Sequence, residues 1–296
     1  TGVMEWVPSE NMYAIVKLCK SFNHGKVYEV FWEYCGLSAE IFSRKKAYGW
    51  LYQENGKVRG FALGRQRRPT EQVGEAFVFE EVWGPCDGVA SELGELKRKD
   101  RERVLQFGKL VCSLDFKLPI VLRAATDNQF AHMIPRLLKA TWVNGLVIAK
   151  RSLSRRFEFS IPAGYRFKTF ENGDHFFMSK IHKEAFGEDV SSKDYEAWAT
   201  AINCRTIMAM HQEEPVAFII VEKRHCGSLG DFNIAVKPAH QRKGIGSALL
   251  KAAFNSLIDM GVKNVIADYL VLNAPAHQLY QKHGFKPKRI YNYFLM

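Results

Sequence analysis

The sequence predicts an α/β (α+β) chain made of two domains of one fold, and three observations carry that expectation. At 296 residues the chain exceeds the ~100–200 residues usual for one domain. Both halves run through the same order: a helical stretch, a pair of strands, a third strand, a helix, a strand, a short helix and a last strand. Between them, Ser152 to Arg156 and Pro162-Ala163-Gly164 read as a linker. The expected domains are therefore 4–152 and 163–296.

In the first half a helical pattern covers roughly 9–22. The runs Tyr48–Tyr52 and Val58–Leu63 flank Glu54-Asn55-Gly56-Lys57, and Asn-Gly between alternating apolar runs is a strong hairpin signal. A strand at Ala76–Val82 ends at Trp83-Gly84-Pro85, which breaks regular structure. A charged helix over about 91–114, a strand at Ile120–Ala124, a short helix near 129–139 and a strand at Gly145–Ala149 follow.

The second half predicts a helix at 174–186, strands at Thr206–Met210 and Val216–Val221 around the turn Gln212–Pro215, and a strand at Asp231–Val236. A helix over about 244–259 has Leu249, Leu250, Ala253, Phe254, Leu257 and Ile258 at i, i+3, i+4 spacing. A strand at Asn264–Tyr269, a short helix at 274–283 and a strand through Tyr291–Leu295 complete the order.

Hydrophobic residues at 47% and charged residues at 25% are ordinary for a soluble globular protein. No apolar run approaches the ~20 residues of a membrane span, and the N-terminus carries no secretion signal. Six scattered cysteines, Cys19, Cys35, Cys86, Cys112, Cys204 and Cys226, contain no CxxC pair, which argues against zinc and against a secreted disulfide framework. Reduced thiols and a cytoplasmic location are expected. The net charge of +11 suits nucleotide cofactors or nucleic acid without identifying either. Runs such as Arg65-Gln66-Arg67-Arg68 lack the interleaved aromatics that stack on bases, so a nucleic-acid partner has weak support. The histidines show no HExxH spacing, and no Gly-x-Ser-x-Gly elbow is present, which removes metalloprotease and hydrolase readings.

The most informative segment runs from Phe232 to Leu250. A buried strand ends at Val236, Pro238 stops sheet pairing, and a polar loop enters a helix through Gly244 and Gly246. The N–H groups of a first helical turn lack intrahelical partners, and the macrodipole adds positive charge, so this junction favours an anion. The glycines keep side chains from blocking approach to those groups, while Arg242 and Lys243 add full charges.

Gln241-Arg242-Lys243-Gly244-Ile245-Gly246 resembles the Gln/Arg-x-x-Gly-x-Gly/Ala signature of the GNAT N-acetyltransferase superfamily. About 30 residues on, Asn273-Ala274-Pro275-Ala276-His277-Gln278-Leu279-Tyr280-Gln281-Lys282-His283-Gly284-Phe285 resembles its Asn-x-x-Ala-x-x-Leu-Tyr-x-x-x-Gly-Phe stretch. The resemblance covers roughly residues 165–296. It implies two tandem GNAT-like domains, each a mixed, mostly antiparallel twisted sheet flanked by helices. It further implies acetyl-CoA as cofactor, with the loop from Gln241 to Ser247 holding the pyrophosphate and the strand end Ile234-Ala235-Val236 bonding the pantetheine arm. An N–H of that strand end would face the acetyl carbonyl, where it stabilises developing negative charge.

The implied activity is transfer of an acetyl group to an amine, by direct attack of the amine on the thioester, with no metal. By the same analogy Tyr280 protonates the leaving thiolate; a phenol, with an unperturbed pKa near 10, is well matched to that task. Asn273 holds the cofactor or orders a local turn. Asp268, five residues before Asn273, stands where the ribosomal-protein N-terminal acetyltransferase branch has a Glu, and is the candidate base. Asp231 and Glu222, on neighbouring strands, are alternatives. The chain departs from that branch in its shorter acid and in Tyr269-Leu270 after it, so the acceptor stays open between a small molecule and a protein. In the first half, Trp83 to Glu92 lacks the loop signature, Asp87 and Glu92 would repel a pyrophosphate, and Asn128 to Lys139 lacks the Leu-Tyr pair. A degenerate first domain that shapes the acceptor cleft, and one active site per chain, are expected. The competing reading is a non-catalytic coenzyme A-sensing or nucleic-acid-associated binding protein.

Overall fold

The computed structural model describes residues 3–9, 48–70, 73–86, 97–224 and 227–296. They form two compact units: Thr1–Val147 with Tyr269–Leu272 and Arg289–Met296, and Ile148–Asp268 with Asn273–Lys288. This division differs from a single cut between 152 and 163, because the last eight residues pack in the first unit.

The first unit contains β1 (Met4–Pro8), β2 (Tyr48–Glu54), β3 (Lys57–Arg67), β4 (Ala76–Trp83), α1 (Arg98–Ser113), β5 (Ile120–Ala125), α2 (Gln129–Leu138) and the start of β6 (Thr141–Ser152). The chain's last strand, β12 (Lys286–Leu295), enters the same sheet, whose order is β1-β2-β3-β4-β5-β12-β6. Asn55 (φ 52°) and Gly56 (φ 72°) make the β2–β3 turn, two left-handed residues whose twist matches the hairpin. β1–β2, β2–β3, β3–β4 and β5–β12 pair antiparallel, whereas β4 and β5 are parallel, with Phe77, Val78 and Phe79 meeting Ile120, Val121 and Leu122. α1 places Val104, Phe107 and Leu110 on one face, and they pack with Trp50, Phe77, Phe79, Phe130 and Ile134. The helix expected at 9–22 lies outside the described residues, apart from Ser9, as do Asp87, Glu92 and the start of the helix expected from 91. β1 was not expected.

β12 joins β5 antiparallel, from Tyr291↔Ala125 to Leu295↔Val121. It brings Tyr291 and Tyr293 over a buried ionic cluster. Glu80 is fully buried and bonds Arg65 Nε at 2.7 Å, Arg67 Nη2 at 3.0 Å and Arg123 Nε at 3.3 Å. Arg123 lies over the Tyr291 ring, 4.4 Å from its centre, and Arg67 donates to the Tyr293 hydroxyl at 3.1 Å. Burial alone would raise the Glu80 carboxyl, but the charges of Arg67 and Arg123 outweigh it and hold the group far below the usual carboxylate range.

The second unit holds the end of β6, then β7 (Tyr165–Thr169), α3 (Asp174–Phe186), α4 (Ser192–Ala199), β8 (Cys204–His211), β9 (Glu214–Lys223), β10 (Leu229–Val236), α5 (Ile245–Asp259), β11 (Asn264–Leu270) and α6 (Ala274–Lys282). Its strand order is β11-β10-β9-β8-β7. α5 buries Leu249, Leu250, Ala253, Phe254 and Leu257, the stripe its periodicity predicts. It lies so close to β10 that a Cβ on Gly230 would sit 2.7 Å from Leu257 Cδ2. β7 and α4 were not expected; β7 is five residues long, and Tyr195 is the buried residue of α4.

Removing Glu80 leaves the guanidinium groups of a largely buried cluster without their shared carboxylate. Glu80→Ala should destabilise the first unit by ~3–5 kcal/mol, the cost of breaking a buried pair by deleting one partner. Denaturant unfolding followed by tryptophan fluorescence measures it, and a loss below ~1 kcal/mol would mean the cluster is not coupled to folding.

Candidate active site

β10 is paired on both sides only at its start. With β9 it stays antiparallel from Gly230↔Lys223 to Val236↔Ala217, but its parallel ladder with β11 consists of Leu229↔Asn264 and Gly230↔Val265. From Asp231 onward the two strands part. A strand in mid-sheet should be buried, yet Phe232, Asn233, Ile234 and Val236 are half-buried. Side chains satisfy both ends of the parted stretch: Asp231 Oδ1 accepts from the Phe232 N–H at 2.6 Å, and Gln241 Nε2 donates to the Val236 carbonyl at 3.0 Å.

The chain then makes a 3-10 turn at Pro238–His240 and enters α5 through two left-handed residues, Arg242 (φ 62°) and Gly244 (φ 85°). No side chain caps α5, and no acid stands in its first turn. Its first N–H groups therefore carry the partial positive charge of the helix end unopposed. Gln241, Arg242, Lys243 and Gly244 are exposed, while Ile245 is buried, so Ile245 offers an anion only its main chain. Ser247 is half-buried in the first turn. The two glycines differ. Gly244 needs its left-handed backbone, whereas a Cβ on Gly246 would point at Leu279, with Cδ2 at an ordinary 3.6 Å. Within the protein, then, the backbone at Gly244 requires glycine, while Gly246 leaves room for a Cβ.

α6 is anchored by Asn273, whose Oδ1 accepts from the Ala276 N–H at 3.2 Å. Of the two roles expected for Asn273, ordering the local turn is the one the geometry displays. The helix carries Gln278 to within 3.4 Å of Arg242 Nη1. It also carries Tyr280 into a buried site against Phe232 of β10, at 5.6 Å between ring centres, and Phe285 at 5.5 Å. The loop from Gln241 to Gly244, the strand end and the tyrosine thus lie in one unit.

The three acids part company. Asp231 is ion-paired with Arg224, and burial still raises its carboxyl against that pairing. Glu222 accepts from Asn203 Nδ2 at 3.2 Å and Trp198 Nε1 at 3.4 Å. Asp268 reaches solvent, but protein crowds it enough that desolvation pushes its carboxyl up to about 6, with its own main-chain N–H opposing. A carboxylate there is basic enough to accept a proton near neutrality.

Three residues at the loop were missed. The Tyr165 hydroxyl lies 2.9 Å from His240 Nδ1, and the His211 ring is 5.1 Å from that of His240. Burial, with Lys243 and His211 beside it, lowers the His240 imidazole. Tyr165 sits on a short strand distant in sequence, so no local signal marks this contact. Among the described residues no cluster of His, Cys, Asp and Glu has metal-binding geometry, and no helix is long and apolar enough to cross a membrane.

Residues 203–287 match the family described as Acetyltransferase (GNAT) domain. A mycothiol acetyltransferase from Actinosynnema mirum is 27% identical over 180 residues, which is 56% of this chain and 60% of that protein. The match thus spans about 60% of the length of that relative. The [ribosomal protein bS18]-alanine N-acetyltransferase of Escherichia coli is 41% identical over 59 residues, 20% of this chain and 40% of that enzyme. Among solved structures, a tandem GNAT protein from the clavulanic acid biosynthesis pathway aligns over 99% of this chain and 98% of its own, with a TM-score of 0.60 and 12% identity, a likeness of fold. Residues 203–287 thus carry a GNAT acetyltransferase domain.

Proposed function

We propose that the second unit is an acetyl-CoA-dependent N-acetyltransferase that acts on an amine by direct attack on the thioester. The observation that carries this reading is the uncapped, acid-free N-terminus of α5, entered through Gly244 where β10 has left β11. That end fits a pyrophosphate, with main-chain donors from Gly244 to Ser247 and charge from Arg242 and Lys243. Asn233 to Ala235 offer an unzipped strand edge to the amides of a pantetheine arm. The bound coenzyme supplies an activated acyl group. Asp268 accepts the proton of the incoming amine, and Tyr280 gives a proton to the departing thiolate. The relatives' names, a mycothiol acetyltransferase and a ribosomal-protein alanine N-acetyltransferase, make both a small amine and a protein N-terminus reasonable acceptors. A cytoplasmic location belongs to the same proposal.

The glycine geometry sets the first expectation. Gly244→Ala forces an L-residue into left-handed backbone, at a cost of ~1–2 kcal/mol, and should weaken coenzyme A binding at least 10-fold by calorimetry. Gly246→Ala should bind within about 3-fold of wild type, and unchanged affinity in a folded Gly244→Ala variant would remove the loop assignment.

Tyr280→Phe keeps the ring against Phe232 and Phe285 while removing the hydroxyl. Turnover in an amine-library screen read by free-thiol release should fall on the order of 10²–10⁴-fold, with coenzyme affinity unchanged. Near-wild-type turnover when chemistry limits the rate would exclude Tyr280 as the acid. Coenzyme binding with no turnover on any amine would favour the sensing role.

Asp268 is active as the base only when ionised, so the single-turnover rate should rise with a midpoint near pH 6. Asp268→Asn should flatten that rise and lower the plateau ~10²-fold or more. The stability effect has the opposite sign. An acid raised on folding contributes fully below its unfolded value of 3.8 and loses that contribution as pH rises through about 6. Asp268→Asn should therefore melt no lower than wild type at pH 8, and a lower melting point would make Asp268 structural.

A further inference from the structure

Two segments of the chain align without a gap. Asn128 and Asn273 each cap a helix by accepting from the N–H three residues on, at Ala131 and Ala276. A histidine follows each alanine, His132 and His277. Each helix is followed, eleven positions past its cap, by a left-handed residue, Lys139 (φ 54°) and Gly284 (φ 75°). Each then enters a strand two residues later, at Thr141 and Lys286. In this register Pro135 takes the place of Tyr280, and Arg123 takes the place of Asp268.

The same register compares the two parallel ladders. In the second unit the ladder ends at Val265, eight residues before the capping Asn273. In the first it continues to Leu122, six residues before Asn128, so β4 and β5 stay together for two residues longer. Arg123 is the next residue. Its Nε donates to the main-chain carbonyl of Glu80 at 3.0 Å and lies 3.3 Å from the Glu80 carboxylate, with the side chain 3% exposed. Glu80 itself directly follows Phe79, the last residue of β4 in the ladder. The point where strands part in the second unit is bridged in the first by a guanidinium.

We propose that Arg123 holds the first unit's cleft shut, taking the strand-edge carbonyl that a bound amide would need, and so leaves one coenzyme site per chain. This rests on the coenzyme reading of the second unit, and the two fail differently. Hydrogen–deuterium exchange on the full chain tests the closure directly. Arg123→Met keeps the apolar stem, and should speed exchange of amides in 80–83 and 123–125 at least 10-fold, with 229–236 unchanged. Arg123→Lys, which retains charge without the planar fork, should fall between, and decides the matter should the methionine variant not fold. Unchanged exchange in the folded variant overturns the proposal. Titration of wild type with coenzyme A should saturate at one equivalent. Two equivalents overturn the closure, whereas none overturns the coenzyme reading and leaves the exchange result to decide the role of Arg123.

Discussion

Two parallel strands that separate before their ends expose main-chain groups that a sheet would otherwise pair, and buried main-chain groups must find partners. In the second unit β10 and β11 keep only two rungs, and the arrangement around them follows from the need to manage the open edge. Asp231 and Gln241 satisfy its two ends from within the chain. The α5 N-terminus is placed where the edge stops, and α6 closes over it with Tyr280 against Phe232. What lies between is a length of strand edge that a ligand with amides can complete. The first unit meets the same constraint with a three-rung ladder that reaches two positions further along the shared register, and with an arginine.

Carboxylates show the electrostatic side of that contrast. Glu80 has no solvent contact and Asp268 does, yet Glu80 is the stronger acid, because guanidinium groups surround it and none pairs with Asp268. Desolvation works upward on both. The charge partners decide which direction wins. A buried acid with an excess of arginines is fixed in one protonation state and serves as architecture. A crowded acid without a cation keeps both states within reach near neutrality, which proton transfer requires.

The sequence was most legible where structure is local. The Asn55-Gly56 turn, the apolar stripe of α5 and the sequence from β10 through the loop to α5 depend on residues within one or two elements of each other, and they lie where periodicity and turn chemistry place them. Tyr280 and the loop are brought together as the motif spacing implies. The misses come from pairings across long sequence distances. Nothing in Arg289 to Met296 says that this strand will pair with β5, because alternating apolar residues specify a face and not a partner. Tyr165 meets His240 across 75 residues. That Gly244 and not Gly246 adopts left-handed backbone is likewise visible only in three dimensions.

The internal alignment also explains why the two halves look unrelated in sequence. What persists is what the backbone demands: an asparagine to cap the short helix and a left-handed residue after it. What differs is what the chemistry demands. A helix of ten residues tolerates Pro135 near its end, since the missing N–H and the ring disturb little beyond that point, and the same position holds Tyr280 only where a hydroxyl is useful. Lys139 accepts left-handed backbone that Gly284 adopts without strain. An acid replaced by Arg123 at the parting point reverses the local charge and supplies a donor long enough to reach the opposite strand. Once that donor bridges the strands, the edge no longer needs a ligand.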